Sequence, residues 1–219
     1  PVSTSGAGPY VHVIKRGALA AGMTIEKGFT DLAQYFMFTG CKPEKLSGSV
    51  SPSGIFTGSL DFVGGGMTTA TSPLDASLTA STHTPFMEHE AVVTEGGSGV
   101  TVLGFDFEIT NNIDEVLAVG SRVPVALTEG KGDCTGNLTL MFENMTAFNK
   151  FLNETATEAK IVFTNGANIL EFYFPEIRYI GDAVPKIANA QGVVVPLKFR
   201  AIYDTSELTD VKITLTNTE

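Results

Sequence analysis

The residue types that most often carry chemistry are few in this chain and fall in no recognised spacing. His12, His83 and His89 are its only histidines, and none neighbours Cys41 or Cys134, as paired zinc ligands do. His83 and His89 lie close to Glu88 and Glu90, but their separation matches no standard metal-ligand pattern, and a polar loop accounts for all four. No serine stands in a G-x-S-x-G nucleophile elbow. Gly64-Gly65-Gly66 is not followed by the Lys-Ser/Thr of a phosphate loop and opens no periodic helix, so it reads as the exit from a strand. Asp61, Asp106 and Glu108 sit on strand-like runs. A glycosidase needs two such carboxylates to converge, whereas alternation places these on the solvent side. Asn137, Asn144 and Asn153 each begin an Asn-x-Thr match to the glycosylation pattern, which means little in a chain so rich in Asn and Thr. The residues predict no enzyme, no metal and no cofactor.

The elements that position these residues must be read from composition and period. The chain has 219 residues, with 14 Lys+Arg against 24 Asp+Glu, a net charge of −10 and a pI near 4.7. Without a basic run, such a chain is not built to grip nucleic acid, which requires cations to displace phosphate counterions. Charged residues make up 17 %, against about 25 % in an ordinary globular domain. Neutral Thr, Ser, Gly and Asn must therefore finish the surface, and a large self-association face is expected. No run approaches the roughly 18 apolar residues of a membrane-spanning helix. The opening PVSTSGAGPYVHVIKRG lacks both a signal-peptide core and a Met, and it reads as a processed or shortened start. Cys41 and Cys134 could form one bridge at most, and they read as reduced, buried thiols.

Period-2 alternation dominates. In Val102–Thr110, Leu103, Phe105, Phe107 and Ile109 share one face; in Asp133–Glu143, Cys134, Gly136, Leu138, Leu140 and Phe142 do; in Val193–Tyr203, Val195, Leu197, Phe199 and Ala201 do. Further strands are predicted at Met23–Lys27, Gln34–Thr39, Leu46–Ser51, Ile55–Val63, Glu88–Thr94, Lys160–Thr164, Ile169–Phe174, Ile177–Ile180 and Val211–Thr216. Ser51-Pro52-Ser53-Gly54, Glu95–Gly99 and Asn165-Gly166 supply turns. Asn144 can cap one helix running to about Asn153, with Phe148, Phe151 and Leu152 packing on a sheet. The expected fold is mainly β: two packed antiparallel sheets, as a sandwich or barrel, with one flanking helix over about 144–153. Residues 64–86 read as a long loop and 111–131 as a second irregular segment, all within a single domain over 1–219.

EKGFTDLAQYFMFTGCKPEKLSGSVSPSGIFTGSLDFVG, beginning at Glu26, resembles the central segment of the tail tube proteins of long-tailed bacteriophages and prophages. VGSRVP (Val119–Pro124) and GNLTLMFENMTAFNKFLNETATEA (Gly136–Ala159) resemble later parts of that family in the same order, so the likeness runs from about Ile25 to the final strand. The resemblance implies two packed sheets, a flanking helix, and loops or a hairpin that reach neighbours. It also implies hexameric rings stacked into a tail around DNA and a tape-measure protein, in contact with tail-terminator and baseplate or tail-tip proteins. The subunit would be a virion component assembled in the host bacterial cytoplasm, with no membrane partner. Because family members carry further β structure before the matched region, an N-terminal portion is expected to be absent or cleaved.

A ring is a head-to-tail assembly, and paired edge strands are the simplest joint between β-rich subunits. Leu46, Ser49 and Val50 in LSGSVS, with Ile55, Thr57 and Leu60 in IFTGSL, are the candidate ring-forming positions, uncharged and small enough for close approach. Gly64, Gly65, Gly66, Leu74, Leu78 and Phe86 mark the candidate inter-ring loop. Acidity admits two readings: a bore of carboxylates and hydroxyls past which DNA slides, or solubility before assembly. The competing function is a surface or adhesin-type β-sandwich binding module. It predicts an exposed aromatic platform, but the chain has no Trp, and its aromatics fall mostly on apolar strand faces.

Overall fold

A computed structural model describes residues 8–19, 22–77, 84–181, 184–187 and 192–217. Its strands are β1 (Tyr10–Lys15), β2 (Met23–Phe29), β3 (Gln34–Val50), β4 (Thr57–Val63), β5 (Gly66–Ala70), β6 (Ala91–Glu95), β7 (Ser98–Gly99) and β8 (Val102–Thr110), then β9 (Ile113–Val116), β10 (Ala126–Glu129), β11 (Asp133–Met141), β12 (Thr157–Asn165), β13 (Asn168–Ile180), β14 (Lys186–Ile187), β15 (Val193–Ala201) and β16 (Lys212–Asn217). The one α-helix among the described residues, α1, spans Thr146–Leu152.

Every ladder is antiparallel, and the strands fold into two layers. The first runs β4-β3-β8-β11-β15, and the second β7-β6-β12-β13-β16-β1. The path is open at its ends, so the sandwich form of the expectation holds and no barrel closes within the subunit. β13 belongs to both layers: residues 168–174 pair with β12 and 169–173 with β16, and 177–180 pair with β15. Pro175 and Glu176 fall where the β12 register slips, which is how a proline without an N–H is tolerated inside a strand.

The core forms where the inward faces meet. Phe107 of β8 meets Phe172 of β13 with ring centroids 4.7 Å apart. Phe105 stacks on Phe199 at 6.4 Å, and Phe174 meets Phe199 edge-on at 5.5 Å. Leu138, Ile161, Ile177 and Leu197 are fully buried among them. Burying each such side chain stabilises the fold by about 1.5–3 kcal/mol. All three alternating runs singled out from the sequence put their predicted inward Phe, Leu and Ile residues here, apart from the partly buried Leu103 and Phe142.

Several boundaries differ from the sequence reading. The predicted strands Gln34–Thr39 and Leu46–Ser51 merge into one 17-residue strand, β3, which ends at Val50, because Gly40 (φ 65°) and the bulge at Pro43 redirect the strand rather than end it. The supposed loop 64–86 opens with β5, which pairs with residues 35–39 of β3; Leu78 and His83 lie outside the described residues. Glu88–Glu90 is a short 3-10 turn, so the predicted strand begins at Ala91. In α1, Asn144 Oδ1 accepts the Thr146 N–H at 2.8 Å. Ala147, Phe148 and Phe151 pack on the core, but Leu152 is 58 % exposed. At 100° per residue the buried stripe is centred near Phe151, and Leu152 falls at its margin.

Candidate assembly surfaces

Strand edges are the first feature to place. Among the described residues β4 pairs only with β3, so one side of Thr57–Val63 offers backbone donors and acceptors that they leave free. Leu60 faces the core side of this strand beside Leu46, yet it is 49 % exposed, because the second layer does not extend over it. Thr57 and Leu60 thus stand on an open edge. Leu46, Ser49 and Val50 do not: residues 45–49 pair with β4 on one side, and residues 45–50 pair with β8 on the other. Gly48, on the inward face, serves the subunit's own core, since a Cβ there would lie 2.6 Å from the Phe107 ring and 2.9 Å from Phe56, whereas Ser47 and Ser49 point outward. Ile55 makes only an isolated bridge to Met87. At the opposite end of this layer, residues 177–180 of β13 and 186–187 of β14 pair with β15.

The outward face of the first layer is polar in register. One cross-strand row reads Thr57, Ser49, Asp106, Asn137, Lys198, and the next reads Ser59, Ser47, Glu108, Thr135, Arg200. Ser49 and Thr57 share a hydroxyl hydrogen bond of 3.0 Å, Asn137 donates to Asp106 at 2.6 Å, and Lys45 meets Glu108 at 2.6 Å. Arg200 forks onto Asp133 at 2.9 and 2.7 Å and holds that carboxyl below its usual range. The solvent-side reading of Asp106 and Glu108 is correct, and the two are tied to neighbours rather than converging on a site.

A second feature lies off the sandwich. β2, residues 34–39 of β3, and β5 form a three-stranded arm that contributes no side chain to the main core cluster. Its register puts Ile25, Phe38 and Met67 in one row and Lys27, Phe36 and Thr69 in the next. Phe29 joins that face, edge-on to Phe36 at 5.9 Å with Lys27 over its ring. Met67 is 57 % exposed. Leu74, beyond β5, is exposed and donates its N–H to Glu26 at 2.8 Å.

A third feature, the β9–β10 hairpin, escaped the sequence reading, which left 111–131 irregular. Its base is fixed to β3: Glu44 accepts the Ile113 N–H at 2.8 Å, and Lys42 reaches Glu129 at 3.0 Å. Beyond it Val116, Leu117, Val119, Val123 and Val125 are all exposed. The available signal was apolar residues crowded into a Gly- and Pro-containing stretch, where loops are ordinarily polar.

The N-terminal strand β1 was also missed. It closes the second layer on β16, where Glu207 takes both Lys15 (3.1 Å) and Lys212 (2.9 Å), and Arg16 pairs with Asp210 at 2.6 Å. Those two ammonium groups, Lys212 first, hold the Glu207 carboxyl below its ordinary value. At the helix, Lys150 meets the buried Glu95 at 2.7 Å.

Cys41 and Cys134 are free and buried, and burial pushes the Cys134 thiol up. Among the described residues no group of His, Cys, Asp and Glu could hold a metal, and no helix is long and apolar enough to cross a membrane. A mainly β subunit with an open strand edge and exposed apolar side chains has the features of a protein that joins neighbours through its strands. The family model for phage tail tube proteins matches residues 1–201, and the chain belongs to that family. This is a structural family rather than an enzyme family, and membership makes the chain a virion tail component that assembles into a tube with other tail proteins. It displaces the surface-module alternative. The match starts at residue 1 and ends at Ala201, so the likeness covers the opening segment, which the sequence reading had left unplaced, and stops short of β16. Comparison with curated proteins found no match.

Proposed function

We propose that this chain closes head-to-tail into hexameric rings that stack into a tail tube, with the polar outer face of the first layer lining the bore. The observation that carries this reading is the free edge of β4 at one end of an otherwise continuous layer, free of the Lys and Pro that guard monomeric edges. Joining that edge to the β13–β14 end of the next copy continues the layer from subunit to subunit and satisfies backbone groups across each joint. Asp61, Asp106 and Glu108 then face the passing DNA together with the hydroxyls of β3 and β4. Across the whole outer face these three carboxylates and Asp133 stand against Lys45, Lys198 and Arg200, with Lys45 tied to Glu108 and Arg200 to Asp133, so the cations are largely spent within the face and do not grip phosphate, and the duplex slides. Within this reading the tape-measure protein occupies the bore before ejection, and terminator and baseplate or tail-tip proteins bind the two ends. The stretch through Gly64, Gly65, Gly66 and Leu74 contacts the adjacent ring, whereas Phe86 packs on Phe163 with ring centroids 5.8 Å apart and belongs to the subunit's own core. Assembly takes place in the host cytoplasm, and neither catalysis nor a cofactor is involved.

Negative-stain microscopy of concentrated protein tests the ring, with Leu60→Lys as the control. Wild type is expected to give rings or tubes with a central hole, and Leu60→Lys to give folded monomers, because the new charge lands on the joint. Monomers of wild type at every concentration, or tubes unaffected by Leu60→Lys, overturn the assignment.

A further inference from the structure

The tight turn between β12 and β13 carries chemistry that ring formation does not use. Asn165 is the one asparagine of the chain that is followed by glycine. It pairs with Asn168 as the last rung of the β12–β13 ladder, and Gly166 stands at the tip with φ 59°. Gly166 is exposed, and a Cβ built on it would meet nothing within 4 Å. Among the described residues neither the Gly166 N–H nor the half-buried Asn165 carboxamide has a hydrogen-bond partner. Other asparagines are held. Asn111, Asn112, Asn137 and Asn144 make hydrogen bonds of 2.6–2.8 Å through their side chains, and each precedes a residue that has a side chain of its own.

We propose that Asn165 is a self-modification site, where the turn converts its own carboxamide into a carboxylate without an enzyme. The proposal stands on the subunit alone and is independent of the tube reading. Hydroxide takes the proton of the Gly166 amide, and the nitrogen attacks Asn165 Cγ. The N–Cγ bond forms, the Cγ–Nδ2 bond breaks, and ammonia leaves with a proton from water. Water then opens the cyclic imide. Cleavage at Cγ gives an aspartate, and cleavage at the main-chain carbonyl gives a β-aspartyl linkage whose main chain is one carbon longer. Glycine favours ring closure because it has no side chain in the way and swings over a wide range of φ. The extended ladder holds the nitrogen off the side chain, so the last rung must open first, and the end of a hairpin opens at the lowest cost. Either product adds one negative charge to the −10 of the chain. The charge lands beside Asn168, whose Oδ1 is buried and already lacks a partner, at a cavity of about 190 Å³ that Phe86 and Leu215 also line. A carboxylate at that place is costly to bury, and a lengthened main chain breaks the Asn165–Asn168 rung, so the reaction loosens this end of the second layer.

Ageing the purified full chain in mildly alkaline buffer tests the site. The tryptic peptide 161–178 is then read by mass spectrometry, with methyl transfer by an isoaspartyl methyltransferase as a second readout. The expected result is an amide-to-acid mass gain at Asn165 and not at Asn168, faster as pH rises and matched by released ammonia. Asn165→Gln should lose the gain, because the longer side chain closes its ring poorly, and this conservative change in an exposed turn leaves the fold intact. Gly166→Ala should lose it as well. Amides of 161–164 and 169–172 should exchange faster in aged protein than in fresh protein. An aged chain with Asn165 intact overturns the proposal, and so do equal gains at all asparagines or a gain in peptide 161–178 that survives Asn165→Gln. Unchanged exchange in fully converted protein overturns the loosening.

Discussion

Gly136 shows how much a single missing side chain can decide. It sits on β11 with the Phe199 ring lying where a Cβ would project and Asp106 backbone behind it. Gly136→Ala is therefore expected to destabilise the subunit by about 1–3 kcal/mol through overpacking, read as a lower urea midpoint at unchanged slope. Lys150 presents the opposite case. Its ammonium holds the Glu95 carboxylate, which is 4 % exposed, and also donates to Thr157 at 3.1 Å. Lys150→Met strands a buried charge and should cost about 3 kcal/mol, with Glu95→Gln in the same chain recovering part of the loss. The phenylalanine core was legible from alternation alone, because inward and outward faces of a half-buried strand differ at every step. The Lys150–Glu95 pair was not, since partners so far apart in the chain leave no local pattern. Leu152 misled because an apolar residue at helical spacing looks the same whether or not a sheet extends beneath it.

At the scale of elements, β3 and β13 carry the same lesson. Gly40, Pro43 and Pro175 are turn signals, yet each falls where a strand changes partners, and tertiary pairing keeps the strand continuous. β1 carried only a short alternation in a polar opening, and its place is set by a six-residue ladder to β16, flanked by ion pairs with residues near the other end of the chain. Those pairs give β1 a pH dependence. The Glu207 carboxyl is lowered in the folded state, so its contribution is fully present above its unfolded value near 4.5 and is lost as pH falls through the lowered folded value. Hydrogen exchange of residues 10–15 should accelerate as the solution is taken from pH 5 to pH 3, after correction for intrinsic rates. Glu207→Gln should raise exchange at pH 5 and flatten the dependence. The arm invites a second comparison. Because its strands lie outside the main core cluster, amides of 23–29 and 66–70 should exchange faster than those of 159–163 in the unassembled subunit.

For the molecule as a whole, charge and assembly oppose each other. Each subunit carries −10, so copies repel at low ionic strength, and the repulsion is screened within about 10 Å at 0.1 M salt. Raising NaCl from about 10 mM to about 200 mM should shorten the lag of tube formation followed by light scattering; a longer lag would mean that ion pairs between copies dominate. Fold class and family were legible at this scale because alternation and phrase order persist over the whole chain. The candidate contact surfaces were not, since Gly48 in LSGSVS is small for the sake of the Phe107 and Phe56 rings, and VGSRVP looked like any Gly-Pro loop.

The position of the arm outside the sandwich has one more consequence. Were the arm to settle fully only against a neighbouring copy, an isolated subunit would lack one finished contact surface and a growing end would supply it. Elongation would then outrun spontaneous initiation, and a cell could accumulate the subunit in quantity without clogging itself with stray filaments.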